Sequence, residues 1–302
     1  MSTDTNAVLT RVLNARNSLP ASGRYLGDPS IVDRLEWVHD GRGHVLTYTP
    51  PATDNFSAEP NDEDTAGESD VPAFVLSAIA CIDHDDFWLT ADGGYHAATL
   101  VCRELLDVKP SCALATPGLE PVRSDFATVL QNLRQITEKC TTPGYASGKS
   151  FFTGDFPNTT RFKLRHQLFE SSSKQPFHPL MSVVPPDPYS FERWPLTRER
   201  NRAELLTLKN TYRIVPIPAY DPAGDLLKPS TYRRYLQGAL VEIHFTLTHW
   251  GIAGVKRDVY GGEIEKIRVL EPPVGSSSPD RKRKIPLRLE SDGGPNKKRA
   301  TA

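Results

Sequence analysis

The sequence predicts an α+β protein with a mixed α/β N-terminal domain, a mainly antiparallel β C-terminal domain and a basic tail. Three observations carry this prediction. Twenty-six prolines in 302 residues exceed the usual share of about 5% and favour short elements, sheet edges and irregular connections over long helices. The apolar period is helical at Val8, Leu9, Val12 and Leu13 and again at Phe126, Val129, Leu130, Leu133 and Ile136, but strand-like from Leu240 to Trp250. Charge is divided: residues 1–150 hold 11 lysines and arginines against 21 acids, and residues 151–302 hold 25 against 16.

The N-terminal domain is expected over residues 1–143. Its first helix runs over 4–19 and stops at Pro20 to Gly23. Asp28-Pro29 reads as a helix cap followed by a first-turn proline. Trp37 to His39 and His44 to Thr49, joined through Asp40-Gly41-Arg42-Gly43, form a hairpin. Residues 50–70 carry seven acids and one large apolar residue, Phe56, the composition of a disordered loop. Residues 71–82 read as a buried strand and 87–90 as a second, ahead of the Ala91 to Gly94 turn. Helices are expected over 95–108 and after Ser124, whose hydroxyl can act as a cap.

Residues 144–160 read as a linker. The β-rich domain, of OB-like or small-barrel type, is expected over 161–275, opening with a strand or short helix at 161–169 and continuing with a helix at 197–210. Pro216 and Pro218 confine residues 212–218 to a sheet edge or strand end. The strand from Leu240 to Trp250 connects through Gly251 to Asp258 to a partner ending in Ile267, Val269 and Leu270. A phase break between Ile264 and Ile267 marks a bulge.

No sequence pattern carries specific catalysis, and no cofactor is implied. Gly144-Tyr145-Ala146-Ser147-Gly148-Lys149-Ser150 ends like a phosphate-binding loop, but it has three residues between its glycines where that loop needs four. His39 and His44 flank a turn and can face each other, yet the local sequence has no third metal ligand. His244 and His249 are separated by an odd number of strand residues, which predicts opposite faces. Cys81, Cys102, Cys112 and Cys140, at spacings of 21, 10 and 28, match no zinc pattern and are expected as thiols in a reducing compartment. The Asp83-His84-Asp85-Asp86 cluster holds the residue types that hard cations and acid–base chemistry use, and makes a metal-dependent enzyme the third functional reading.

The leading reading is contact with single-stranded DNA or RNA. Arginines and lysines suit phosphates and aromatic rings suit base faces, and they interleave at Tyr232-Arg233-Arg234-Tyr235 and Lys256-Arg257, close in sequence to His244 and Trp250. The second reading is a nuclear protein partner docking on the same face without nucleic acid. A membrane partner is not expected, because the longest near-apolar run, residues 71–82, is 12 residues long.

The tail, residues 276–302, is expected to be disordered. Arg281-Lys282-Arg283-Lys284 and, twelve residues on, Lys297-Lys298-Arg299 resemble a bipartite nuclear localisation signal for an import receptor. From Pro279 onward the tail has eight basic against three acidic residues, so much of the C-terminal charge excess is an address and little of it is a binding surface.

Tyr212-Arg213-Ile214-Val215-Pro216-Ile217-Pro218-Ala219-Tyr220-Asp221 and the segment from Gly238 to Trp250 resemble a family of uncharacterised proteins of mushroom-forming fungi, over about residues 160–273. The resemblance implies no activity and no site residues.

Overall fold

The computed structural model describes residues 2–49, 72–96, 98–99, 102–147, 151–153, 160–172 and 188–273. The acidic stretch 50–70, the Gly148-Lys149-Ser150 segment and the tail with its two basic clusters lie outside the described residues.

Helix α1 (Ser2–Ser18) precedes the hairpin of β1 (Leu35–Asp40) and β2 (Gly43–Tyr48), the long strand β3 (Leu76–Phe87), β4 (Ser111–Ala115) and helix α2 (Val122–Glu138). Then come β5 (Ala146–Ser147), β6 (Phe152–Thr153), β7 (Arg161–Arg165), β8 (Phe169–Ser171), α3 (Glu199–Leu208), β9 (Tyr212–Ile214) and β10 (Ala219–Tyr220). A single turn, α4 (Tyr232–Leu236), leads into β11 (Leu240–Ile252) and β12 (Arg257–Glu271).

Five of these strands close on themselves. The antiparallel pairs are β3 with β4, β4 with β7, and β11 with both β3 and β12, while β7 and β12 pair in parallel. Counted in chain order, the five run 1-2-3-5-4 around the barrel and return to 1. The β1–β2 hairpin extends this sheet beyond β11, and β10 lies beside β12.

Period-two alternation explains the closure. Val241, Ile243, Phe245 and Leu247 of β11, Phe162 and Leu164 of β7, and Ile267 and Val269 of β12 are fully buried, so one face of every strand fills a small interior. Helix α2 sits against this core on the apolar stripe expected of it. Phe126 stacks on Phe162 with centroids 6.1 Å apart, and Val129, Leu133 and Ile136 are fully buried. Full burial of such side chains stabilises the fold by about 1.5–3 kcal/mol each. The buried amide of Asn132 donates to the carbonyls of Leu26 (2.8 Å) and Asp28 (2.9 Å), tying the N-terminal loop to the helix.

The structure departs from the sequence reading in four places. Strands β3 and β4, assigned by sequence to one domain, pair with β7 and β11, assigned to another, and one core cluster runs from Leu26 to Val269. The boundary at residue 143 therefore does not divide two cores. The strands expected at 71–82 and 87–90 are replaced by the single strand β3, with a register break against β4 between Ile82 and Phe87. No α-helix forms among the described residues of 95–108. Its apolar residues Tyr95, Leu105 and Val108 are buried against Trp194, Leu196 and Leu205, so contacts far along the chain, instead of a helix face, cover them. Ser124 bonds the Glu120 carboxylate and α2 begins ahead of it, at Val122. The bulge falls where expected: the β11–β12 register slips between His244 and Phe245, which pair with Lys266 and Ile264.

Candidate functional site

Strand β7 reads Arg161-Phe162-Lys163-Leu164-Arg165. With Phe162 and Leu164 turned into the core, the three basic side chains line the outer face of the barrel, about 6.6 Å from one to the next. Each faces a carboxylate: Arg161 meets Asp83 at 2.8 Å, Lys163 meets Asp86 at 2.7 Å, and Arg165 lies 3.4 Å from Glu263.

A cleft of about 440 Å³ opens along this face, between the loop joining β3 to β4 and strand β12. Lys109, Lys163, Arg165, His96 and the Gly93-Gly94 turn line it. Burial first, and then the charge of Arg165, lower the Lys109 ammonium against the opposing pull of Glu263. Burial also raises the Glu263 carboxyl, in spite of Arg165 and Lys109. Nε of Arg165 has only its 3.4 Å ion pair with Glu263 Oε2, and Oε1 of Glu263 is buried with no hydrogen-bond partner among the described residues. A buried polar atom left in this state carries a desolvation cost that an incoming ligand group can relieve.

Two tryptophans stand beside the cleft. Trp88, just past β3, is 45% exposed. Its indole donates to the Asp86 oxygen that Lys163 also contacts, at 3.1 Å. It lies over Gly94, where an added Cβ would fall 2.4 Å from the ring. Trp250, half-buried, carries the Arg165 guanidinium 5.5 Å from its ring centroid. That pair crosses β12 at Gly261, whose Cβ would stand 2.8 Å from the guanidinium and 3.1 Å from the indole.

Of the residues the sequence singled out, the structure brings Trp250 to this face and disperses the rest. Tyr232 is buried and its hydroxyl accepts the Ile217 N–H at 3.1 Å, so its ring is core and cannot stack on a base. Tyr235 packs partly against the core under Arg234, and Arg233 lies over Phe87. His244 is held by Glu242 at 2.9 Å. Lys256, in the left-handed conformation at φ 47, lies in the β11–β12 turn, and Arg257 opens β12. β11 is 13 residues long, so this turn and the Tyr232–Tyr235 helix are separated by roughly 40 Å. They are two places and not one surface.

Within the acidic cluster, Asp83 and Asp86 are counter-ions to Arg161 and Lys163, and Asp83 is also a turn acceptor. Asp83 accepts the N–H groups of Asp85 (2.8 Å) and Asp86 (2.9 Å) and the Arg161 guanidinium. Burial alone would raise its carboxyl. The bonds from Asp86, Arg161 and Asp85 outweigh burial and hold it below the usual carboxylate range.

Cys140, His249 and Asp258 stand in the order of nucleophile, base and orienting carboxylate, with contacts of 3.2 and 3.1 Å. Burial, then the Asp258 charge, push the Cys140 thiol up to about 11, the reverse of what an attacking thiolate requires. The relay is not poised for attack.

The sequence reading missed Trp88, Lys109, Lys163 and Arg165. The alternation from Arg161 to Arg165 was a usable signal for a strand with a basic outer face. Nothing local marks Lys109 or Trp88, which reach the cleft only through the path of the β3–β4 loop.

No helix among the described residues is long and apolar enough to cross a membrane. No family model and no curated protein matches the chain. Among solved structures, the chain is similar to gp2.5, a single-stranded DNA binding protein encoded by bacteriophage T7. That likeness has 9% identity and a TM-score of 0.34, covering 70% of this chain and 96% of the phage protein. At that TM-score the likeness carries neither fold nor function across.

Proposed function

We propose that this protein binds single-stranded nucleic acid in the cleft beside β7, with Lys109, Lys163 and Arg165 toward phosphates and Trp88 and Trp250 toward base faces. The observation that carries the reading is an exposed tryptophan beside a cleft lined by three cations on the outer face of a closed five-stranded barrel. An OB-fold barrel binds oligonucleotides on the face of its second and third strands, between the loops joining strands 1 to 2 and 4 to 5. Here those strands are β4 and β7, and those loops lead from β3 to β4 and from β11 to β12. Fold alone does not confer function, so the weight rests on the side chains. Carboxylates already balance the β7 cations, which predicts a shallow salt slope of a few contacts and affinity that leans on stacking.

The full chain should shift a labelled mixed-sequence oligonucleotide at about 50 mM salt. Trp88→Ala should weaken binding by about 5- to 150-fold, the loss of one stacked base at about 1–3 kcal/mol. Lys109→Ala should reduce the salt slope by about 0.7, one phosphate contact on a single strand. Absence of binding by the wild-type chain would end the proposal. Unchanged binding by both variants would remove this cleft as the site.

A further inference from the structure

His39, His44 and His249 form a row across three neighbouring strands. His39 pairs with His44 across β1–β2, and His44 pairs with His249 across β2–β11. Directly opposed residues of antiparallel strands project to one face, and the ring centroids follow at 5.3 Å in both steps. Cys140, just past the end of α2, reaches the same row. Its Sγ is 3.2 Å from Nδ1 of His249, which is itself 3.2 Å from Nδ1 of His44.

All three ligand atoms lie within 4.8 Å of one another. The second nitrogen of His249, Nε2, is 3.1 Å from Oδ1 of Asp258, and both residues are 1% exposed. A carboxylate at Nε2 holds the ring proton there and leaves the Nδ1 lone pair facing the space shared with His44 and Cys140. Asp258 is fixed in turn by the Thr142 N–H at 2.9 Å. The Tyr260 hydroxyl lies 2.8 Å from the carbonyl oxygens of both Thr137 and Cys140, shares its one proton between them, and holds the cysteine's backbone.

These distances suit a tetrahedral cation. With metal–nitrogen bonds of about 2.0–2.1 Å and a metal–sulfur bond of about 2.3 Å, the tetrahedron's edges are roughly 3.3 Å between nitrogens and 3.5 Å from nitrogen to sulfur. Two imidazoles and a thiolate select zinc-type cations over magnesium or calcium, which prefer oxygen. The carboxylate on the far nitrogen of His249 is the outer-shell partner that metal-bound histidines usually have.

We propose that His44, Cys140 and His249 bind one zinc-type divalent cation, with Asp258 orienting His249 and the fourth coordination position beside His39. The cation would clamp the β1–β2 hairpin and the end of α2 onto β11, one residue before Trp250. The sequence pointed to the His39 and His44 pair but had no third ligand near them. Those ligands lie 109 residues apart, for Cys140 and His249, and 205 apart, for His44 and His249, so no spacing motif exists to be read.

The test uses the full chain, purified without chelator after growth in zinc-supplemented medium, with metal content measured by plasma mass spectrometry. The wild type should carry about one zinc per chain, and Cys140→Ser and His249→Ala well under half of that. His244→Ala, on the opposite face of β11, should retain it. Asp258→Asn should weaken zinc affinity by about 10–100-fold, as loss of an outer-shell partner does. Cobalt(II) added to stripped wild-type protein should give a thiolate charge-transfer band that is absent in Cys140→Ser, a nearly isosteric change that keeps the fold. Wild-type protein that holds no zinc, and gives no such band with cobalt, overturns the proposal. So does Cys140 alkylation by iodoacetamide at the same rate with and without added zinc.

Discussion

His166 illustrates how one buried side chain links charge to stability. Its Nε2 donates to the Val215 carbonyl at 2.9 Å, in a site that leaves the residue 5% exposed. Burial lowers its imidazole below the ordinary value, against the bonds to backbone carbonyls that favour the charged ring. The unfolded chain therefore binds this proton at higher pH than the folded chain does. The stability at stake is fully present above the unfolded value of about 6.5, and falls as pH drops from there toward the lower folded value. Urea unfolding between pH 7.5 and 5.5 should show wild-type stability falling by up to about 1.4 kcal/mol per pH unit from this group. His166→Gln should start less stable and lose that part of the slope; equal slopes in the two proteins would contradict the assignment. Tyr232 and Trp88 teach a related lesson about legibility. Both are aromatic and both adjoin charged residues in sequence, yet one is core and the other stands at the cleft. Burial depends on what the rest of the chain brings alongside, and local sequence does not carry that.

Adjacent residues of one strand separate binding from stability. At Gly261 an added Cβ meets the end of the partly exposed Arg165 side chain. At Gly262 it would fall 2.2 Å from Leu164 Cδ2 and 3.3 Å from Phe151, both fully buried. Gly262→Ala should cost about 1–3 kcal/mol through overpacking. Gly261→Ala should change stability by no more than about 0.5 kcal/mol while displacing Arg165 from Trp250 and weakening oligonucleotide binding. Chemical denaturation and a binding titration on both variants check this contrast, and a destabilised Gly261→Ala would refute it. The same alternation made β11 and the β12 bulge readable from sequence, because both faces of each strand repeat for many residues. Strand β4, Ser111-Cys112-Ala113-Leu114-Ala115, has five small or apolar residues and no alternation to mark it. The non-helical course of the described part of 95–108 was equally hidden, since its apolar residues serve a partner cluster about 90 residues further on.

At the scale of the molecule, the barrel needs strands from both halves of the chain. A fragment of residues 151–273 keeps β7, β11 and β12 but loses β3 and β4, leaving the β7 and β11 edges unpaired and the core open on one side. It should show no cooperative thermal transition by circular dichroism and should aggregate, whereas the full chain unfolds as one unit. A folded, monomeric fragment would contradict the single-core architecture. The sequence by itself determined the α+β class, the amphipathic face of α2, the β1–β2 hairpin, the long β11–β12 pair with its bulge, and the division of charge between the halves. All of these are written in local periodicity, turn residues or composition, which the chain carries wherever it folds. Only the tertiary structure decided that β3 and β4 close the barrel with β7, β11 and β12, that Trp88 and Lys109 meet Arg165 at one cleft, and that His44, Cys140 and His249 converge. Those outcomes depend on pairing between residues tens to hundreds of positions apart, and such pairing is selected by the packing of the whole core.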